Sequence, residues 1–270
     1  MEMLSLVGSY LGDTPNLRFE WSLKISGPEV MPRPEALFWI TNYHGAHISG
    51  RYDKLHRLLR VLDCPIKIVD QARDLSAVSK AQGLMIPMNG CPDSSKLFIH
   101  YHDPFEQQEE RLGLKWSSGH LPDKIVYLFR FFEDGDHQML TAIVHPDLQN
   151  LVKALLTEPR LSTSGYYIQK KGTETKEIYI TYPWHPALAD VLPALQTCFP
   201  GKTADLLTGY AGHFYRQIGF TVWPDAQPVV TVYFSSGYKG CWPTDFETFR
   251  EIVRVESFEL NKKIKALNAS

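Results

Sequence analysis

Residues 17–25 read Leu-Arg-Phe-Glu-Trp-Ser-Leu-Lys-Ile, and a two-residue period puts Leu17, Phe19, Trp21, Leu23 and Ile25 on one face of a strand. Arg18, Glu20, Ser22 and Lys24 take the other face. An apolar face that large needs a cover of helices, which leaves the charged face to solvent or to a polar cavity. Similar two-strand units recur along the chain. The first pairs 17–25 with 36–43 across Gly27-Pro28 and Pro32/Pro34, and the second pairs 84–89 with 96–102 across Gly90-Cys91-Pro92-Asp93. The third pairs 124–132 with 139–144 across Glu133-Asp134-Gly135-Asp136, whose residues tolerate left-handed backbone angles. The fourth pairs 166–170 with 176–182 around Gly172, and the fifth pairs 215–223 with 229–234 around Pro224-Asp225.

Between the hairpins lie stretches with helical spacing. Leu55, Leu58, Leu59 and Leu62 fall three or four apart in 52–62, as do Leu148, Leu151, Val152 and Leu155 in 146–156. The charged stretch 104–112 and the stretch 186–198, with Leu188, Val191, Leu192 and Leu195, read as further covers. A longer helix is predicted over 246–267, with Thr244 or Asp245 as its N-cap and a Lys-rich last turn that suits the helix dipole. Hairpins alternating with helices predict an α+β fold, a closed antiparallel β-barrel of about ten strands surrounded by a ring of helices. Closure removes exposed strand edges; an open sheet with helices on one face is the alternative.

Composition narrows the picture. With 270 residues and 44% hydrophobic composition the chain can bury a full core, and no linker divides it, so one domain over 1–270 is expected. No apolar run approaches the roughly 20 residues of a membrane helix. Residues 1–11 lack the basic start and cleavage site of a signal peptide, which predicts a cytoplasmic protein. Cys64, Cys91, Cys198 and Cys241 are far apart, without a Cys-x-x-Cys pair, and read as reduced thiols. Lys and Arg number 28 against 30 Asp and Glu, so no overall field draws nucleic acid or anionic lipid, although a local basic pocket is open to the chain.

The chemistry of the second strand face is basic and aromatic. The period assigns to it Arg18, Glu20, Ser22 and Lys24; Lys96, Phe98, His100 and His102; Lys124 and Arg130; Glu177, Tyr179 and Thr181; and Tyr215, Gln217, Thr221, Trp223, Thr231 and Tyr233. Rings interleaved with cations suit a ligand that is anionic at one end and apolar or cationic at the other, such as a prenyl diphosphate. Lys and Arg would bind the departing diphosphate, aromatic faces would shield the allylic cation, and one carboxylate could take a proton from the acceptor.

Three stretches carry a resemblance: Phe19-Glu20-Trp21-Ser22-Leu23-Lys24-Ile25, the strand 94–103 (Ser-Ser-Lys-Leu-Phe-Ile-His-Tyr-His-Asp), and Glu177-Ile178-Tyr179 after Gly172. In these the chain resembles the ABBA-fold prenyltransferases, specifically the cyanobactin-type peptide prenyltransferases. The resemblance implies a ten-stranded barrel ringed by helices. It also implies transfer of a dimethylallyl or geranyl group from an allylic diphosphate to a ribosomal, macrocyclic peptide, with Mg²⁺ accompanying the diphosphate. By position, Glu20 matches the family's acidic strand residue, which acts as base or orients the acceptor. Lys24 and Lys96 match basic positions facing the diphosphate, and Tyr179 matches a tyrosine of the cation shield. His100 stands where the family pattern more often has a stronger cation. Arg18, Glu177, Arg33, Arg130, Arg216 and Tyr233 join the substrate-binding set on chemistry alone, and a monomer without a resident protein-bound metal is expected.

Each residue also has a plainer reading. Arg18 and Glu20 could form a surface ion pair, Lys24 could be solvated, and Tyr179 and Tyr233 could be core tyrosines with satisfied hydroxyls. Two other functions compete. His100-Tyr101-His102 followed by Glu106 has the spacing of a cupin-like metal site, with His44 and His47 as remote further ligands, although Pro104 should end the strand before Glu106. A barrel that binds an apolar ligand or a peptide without chemistry is the second. A helical prenyl synthase is disfavoured by the lack of an Asp-Asp-x-x-Asp cluster and by the strand content.

Overall fold

A computed structural model of the chain describes residues 3–14, 17–26, 29–41, 52–77, 79–87, 96–102, 111–117, 125–131, 146–157, 164–170, 176–182, 185–221, 229–237, 240 and 242–268. Ten strands run through them: β1 (Leu17–Ser26), β2 (Glu29–Thr41), β3 (Ser79–Pro87), β4 (Lys96–His102), β5 (Arg111–Ser117), β6 (Ile125–Phe131), β7 (Ser164–Lys170), β8 (Lys176–Thr181), β9 (Gln217–Thr221) and β10 (Val229–Gly237). The helices are α1 (Met3–Leu11), α2 (Asp53–Val61), α3 (Ile66–Asp74), α4 (Gln149–Thr157), α5 (Leu188–Cys198), α6 (Lys202–Thr208) and α7 (Phe246–Asn268). Strands and helices are thus mixed, and the strands with known register pair antiparallel.

The chain forms two compact units. One contains Met1–Trp21, Pro34–Leu128 and Ser236–Val253, and the other Ser22–Arg33, Phe129–Ser235 and Arg254–Ser270. In the first unit β2, β3, β4 and β5 are successive antiparallel neighbours. One face of this sheet carries Ala36, Phe38, Ile40, Leu84, Ile86 and Leu97, all buried. Phe38 meets Phe19 of β1 edge-on at 5.4 Å and stacks on Trp242 at 5.3 Å, while Phe19 stacks on Phe249 of α7 at 5.2 Å. The alternation of β1 is therefore realised as the sequence predicts: Leu17, Phe19, Trp21, Leu23 and Ile25 are buried. The Trp242 indole N–H donates to the Leu4 carbonyl at 2.8 Å, which ties α1 to this aromatic core.

In the second unit β7, β8, β9 and β10 are successive antiparallel neighbours. Ile178, Ile180, Ile218, Phe220, Val230, Val232 and Phe234 form its buried face. The C-terminal half of α7 is fastened by a reciprocal pair: the His185 N–H donates to the Asn261 side-chain oxygen at 3.0 Å, and the Asn261 amide donates to the His185 carbonyl. Ser257 adds a buried hydroxyl that reaches His185 Nδ1 at 2.8 Å and donates to the Ser235 carbonyl at 3.3 Å.

Several sequence expectations are realised and several are corrected. Helices stand at 53–61, 149–157, 188–198 and 246–268, and Asp245 caps the last by accepting from the Thr248 N–H at 2.8 Å. That cap holds the Asp245 carboxyl below its usual range. Pro32 and Pro34 lie inside β2 rather than in a turn; the ladder with β3 opens at Glu35, beyond both prolines, so their missing N–H groups cost no bond to β3. The charged stretch expected as a helix over 104–112 ends instead in a strand, because Arg111 and Leu112 open β5. Residues 103–110 and the expected partner strand 139–144 lie outside the described residues.

A buried polar link joins α2, α3 and β3. His56 Nε2 lies 2.9 Å from Gln82 Oε1, and the Gln82 amide donates to the Ala72 carbonyl at 2.9 Å, so the histidine ring must supply the proton to Gln82. His56 Nδ1 is buried with no hydrogen-bond partner among the described residues. Burial holds the His56 pKa below its ordinary 6.5; Arg73 and Arg60 act the same way, while Gln82 and Asp53 oppose them. The unfolded chain then binds the proton more tightly, so this site's stabilising contribution is present above pH 6.5 and is lost as pH falls below it. Urea midpoints of the native chain should fall between pH 7.5 and 5.5, and the fall should be smaller in His56→Asn. An identical fall in both proteins would remove His56 from the account.

Candidate functional site

In the second unit the face opposite the buried one is built from alternate residues of three strands. Register sets Glu177 across from Thr221, Tyr179 across from Gly219 and Thr181 across from Gln217 on β8 and β9. On β10, Thr231 stands across from Gly219 and Tyr233 across from Gln217. Cross-strand partners share a face, so these positions form one surface. Tyr179 and Thr231 are buried, and Glu177, Thr181, Gln217 and Tyr233 are half-buried. A face open to bulk water would leave its carboxylate and amide exposed, and this one does not.

The contacts on that face are specific. The Tyr179 hydroxyl donates to the Glu177 carboxylate, and the Thr181 hydroxyl donates to Gln217 Oε1 at 3.1 Å. The Tyr179 and Tyr233 rings lie 5.9 Å apart at 47°. A β-carbon at Gly219 would stand 2.9 Å from Tyr179 Cε1 and 3.4 Å from Tyr233 Cε2, so glycine is what lets both rings approach the backbone of β9. A carboxylate, a phenol and a second ring side by side can hold a cationic group by charge and by ring faces, and can exchange a proton with a bound acceptor.

The candidate residues divide by what surrounds them. Glu177, Tyr179 and Tyr233 are brought together. The hydroxyl of Tyr179 is satisfied, and its partner is a carboxylate of the same polar face. Arg18, Glu20 and Lys24 occupy the second face of β1, each half-buried, with Ser22 between them buried. Arg216 lies half-buried in the bend before β9, its N–H donating to the Tyr233 carbonyl at 2.9 Å. Tyr215 is corrected: β9 starts only at Gln217, so the strand alternation does not reach back to Tyr215, which is fully buried edge-on against Tyr182 at 5.3 Å. Arg33 lies in β2, Lys96 and His100 in β4, and Arg130 in β6; their side chains lie outside the described residues, as do Lys124, Trp223, His44, His47 and Glu106. Among the described residues no group of three His, Cys, Asp or Glu could hold a metal ion.

Register also defines the second face of the sheet in the first unit. Leu37, Trp39 and Thr41 of β2 are registered with Met85, Gly83 and Ala81 of β3, and these in turn with Lys96, Phe98 and His100 of β4. Register carries the same row onto β5, where Lys115 is paired with Phe98 and Arg111 with His102. Arg111 and Lys115 join Lys96 through this register, and the alternation of Arg-Leu-Gly-Leu-Lys-Trp-Ser carries the signal, overlaid by the charges just before it that resemble a helix. The indole of Trp39 lies over Gly83, where a β-carbon would stand 2.5 Å from Trp39 Cε3. Gly83 and Gly219 went unnoticed in the sequence because only cross-strand register shows which ring each one seats.

Among solved structures the chain is similar to the 5-dimethylallyltryptophan synthase of Streptomyces coelicolor, at 13% identity and a TM-score of 0.46, over 80% of this chain and 80% of that one. No protein-family model and no curated protein matches the sequence. No helix among the described residues is long and apolar enough to cross a membrane.

Gly83→Ala should force the Trp39 indole off its seat and cost about 1–3 kcal/mol, the usual range for overpacking. Urea unfolding measures it. A neutral effect would mean that the indole moves aside freely and that its place over β3 is not fixed by the glycine.

Proposed function

We propose that this chain is a prenyltransferase that passes a dimethylallyl or geranyl group from an allylic diphosphate to a side chain of a ribosomal, macrocyclic peptide, acting as a cytoplasmic monomer. The observation that carries the reading is the partly enclosed polar face of the second unit, where the Glu177 carboxylate holds the Tyr179 hydroxyl beside Tyr233. The resemblance of 19–25, 94–103 and 177–179 to the cyanobactin-type prenyltransferases names the reaction that such a face would serve. Closure of the strands into a single ten-stranded barrel belongs to the same reading.

In this mechanism the allylic carbon–oxygen bond breaks and its electron pair leaves on the diphosphate. Lys24, Lys96 and Arg33, helped by Arg18, His100 and Arg130, receive the negative charge. The rings of Tyr179 and Tyr233 face the developing cation and keep water from it. A lone pair of the acceptor forms the new bond to the allylic carbon, and the proton displaced from the acceptor passes to Glu20. Mg²⁺ accompanies the diphosphate as part of the substrate, and the chain's own residues bind, orient and deprotonate. The carboxylate at position 20 favours a basic or heteroaromatic acceptor side chain over a neutral one.

The reading is tested by incubating the full chain with dimethylallyl or geranyl diphosphate, Mg²⁺ and a panel of cyclic peptides, and reading the added prenyl mass by mass spectrometry. One prenyl increment on at least one peptide is expected. Glu20→Gln should abolish most turnover while leaving diphosphate affinity within about twofold, as for a group used in the transition state. No increment on any peptide, with diphosphate still bound, would replace the enzyme by a ligand-binding protein.

A further inference from the structure

Glu177 and Tyr179 are two apart on β8, so both side chains leave the same face of the strand. A tyrosine there ordinarily stands away from the sheet, with its hydroxyl far from the residue two positions back. Here the hydroxyl returns to the Glu177 carboxylate, which requires the ring to lie along the sheet. Gly219 supplies the room. A β-carbon at that position would stand 2.9 Å from Tyr179 Cε1 and 3.1 Å from Cδ1. Tyr233, two residues beyond Gly219's partner Thr231 on β10, then closes the other side with its ring 5.9 Å away. Among the described residues three parts bear on the ring: a carboxylate that holds its hydroxyl, a glycine that seats its edge, and a second ring beside it. Trp39 over Gly83 in the first unit has the seat, and an indole has no hydroxyl to be held in this way.

We infer that Glu177 is a positioning residue: it acts through Tyr179, holding the edge of that ring against Gly219 so that Tyr179 and Tyr233 together present one surface to the reacting group. This differs from the direct substrate contact expected of Glu177, and it deepens the prenyl-transfer reading, on which its kinetic readout rests. Without the carboxylate the phenol would lose its partner on β8 and the ring would rotate off the glycine, so the surface would be lost while the groups that bind the diphosphate stayed in place.

A double-mutant cycle on the full chain decides this. Glu177→Ala, Tyr179→Phe and the pair are compared for kcat and KM with the allylic diphosphate and the acceptor peptide that gave an increment, and in parallel for urea stability. Glu177→Ala and Tyr179→Phe should each lower kcat and leave the acceptor KM unchanged. The pair should be no worse than either alone, a departure from multiplicative losses of about threefold or more. Glu177→Gln keeps an oxygen acceptor and should restore most of kcat, whereas Gly219→Ala, which removes the seat without touching Glu177, should lower kcat as Tyr179→Phe does. Losses that multiply in the pair, or a raised acceptor KM with kcat intact in Glu177→Ala, would make Glu177 a substrate ligand and overturn the inference. If the native chain prenylates no peptide, the prenyl-transfer reading falls by itself. The stability cycle then decides alone: coupling between positions 177 and 179 keeps the anchored ring, and additive losses remove it.

Discussion

The burial of Phe19 among Phe38, Trp242 and Phe249 determines which side of β1 can carry chemistry. Fully burying an aromatic side chain is worth about 1.5–3 kcal/mol relative to exposing it, and contacts between rings add to that. A slip of one residue would turn Phe19, Trp21 and Leu23 outward together and bring Arg18, Glu20 and Lys24 into the apolar layer, so the register is strongly specified. The neighbouring polar positions inherit their direction from this packing. Trp21 adds to it, with the Arg250 guanidinium 5.0 Å over its ring.

The same logic operates in the second unit, where Ile178, Ile180, Ile218, Phe220, Val230, Val232 and Phe234 are buried on one face. Once they are turned inward, Glu177, Tyr179, Thr181, Gln217, Thr231 and Tyr233 have no choice but to share the other. What distinguishes this face from ordinary solvated strand surface is its partial enclosure and its internal bonding. A carboxylate held beside a phenol and a second ring is chemically usable, and its geometry depends on a residue with no side chain. Gly219 lets the Tyr179 ring lie where any β-carbon would collide with it.

Buried polar contacts do the complementary work of fixing helices to strands. His56 and Gln82 join α2 and α3 to β3, while His185, Ser257 and Asn261 fasten α7 in the second unit. Such links add direction to packing that is otherwise non-directional, since a buried polar group left without a partner costs about 1–3 kcal/mol.

Much of the architecture was legible in the chain because strand alternation and helical spacing are local patterns. The buried face of β1, the hairpin of β3 with β4, the pair β7 and β8, and the long helix capped by Asp245 all follow from residues adjacent in sequence. Charge misled where it overlaid a weaker signal: the stretch before Arg111 resembled a helix, and the alternation of β5 went unread. Proline misled in β2, because whether a missing N–H matters depends on where the neighbouring ladder begins. The sequence determined that Glu177 and Tyr179 share a face, since two residues apart on a strand allows nothing else. Only the tertiary structure decided that Gly219 and Tyr233 meet that ring and that β9 starts at Gln217, leaving Tyr215 buried against Tyr182, because cross-strand register and the start of a strand are set by packing between segments far apart in the chain.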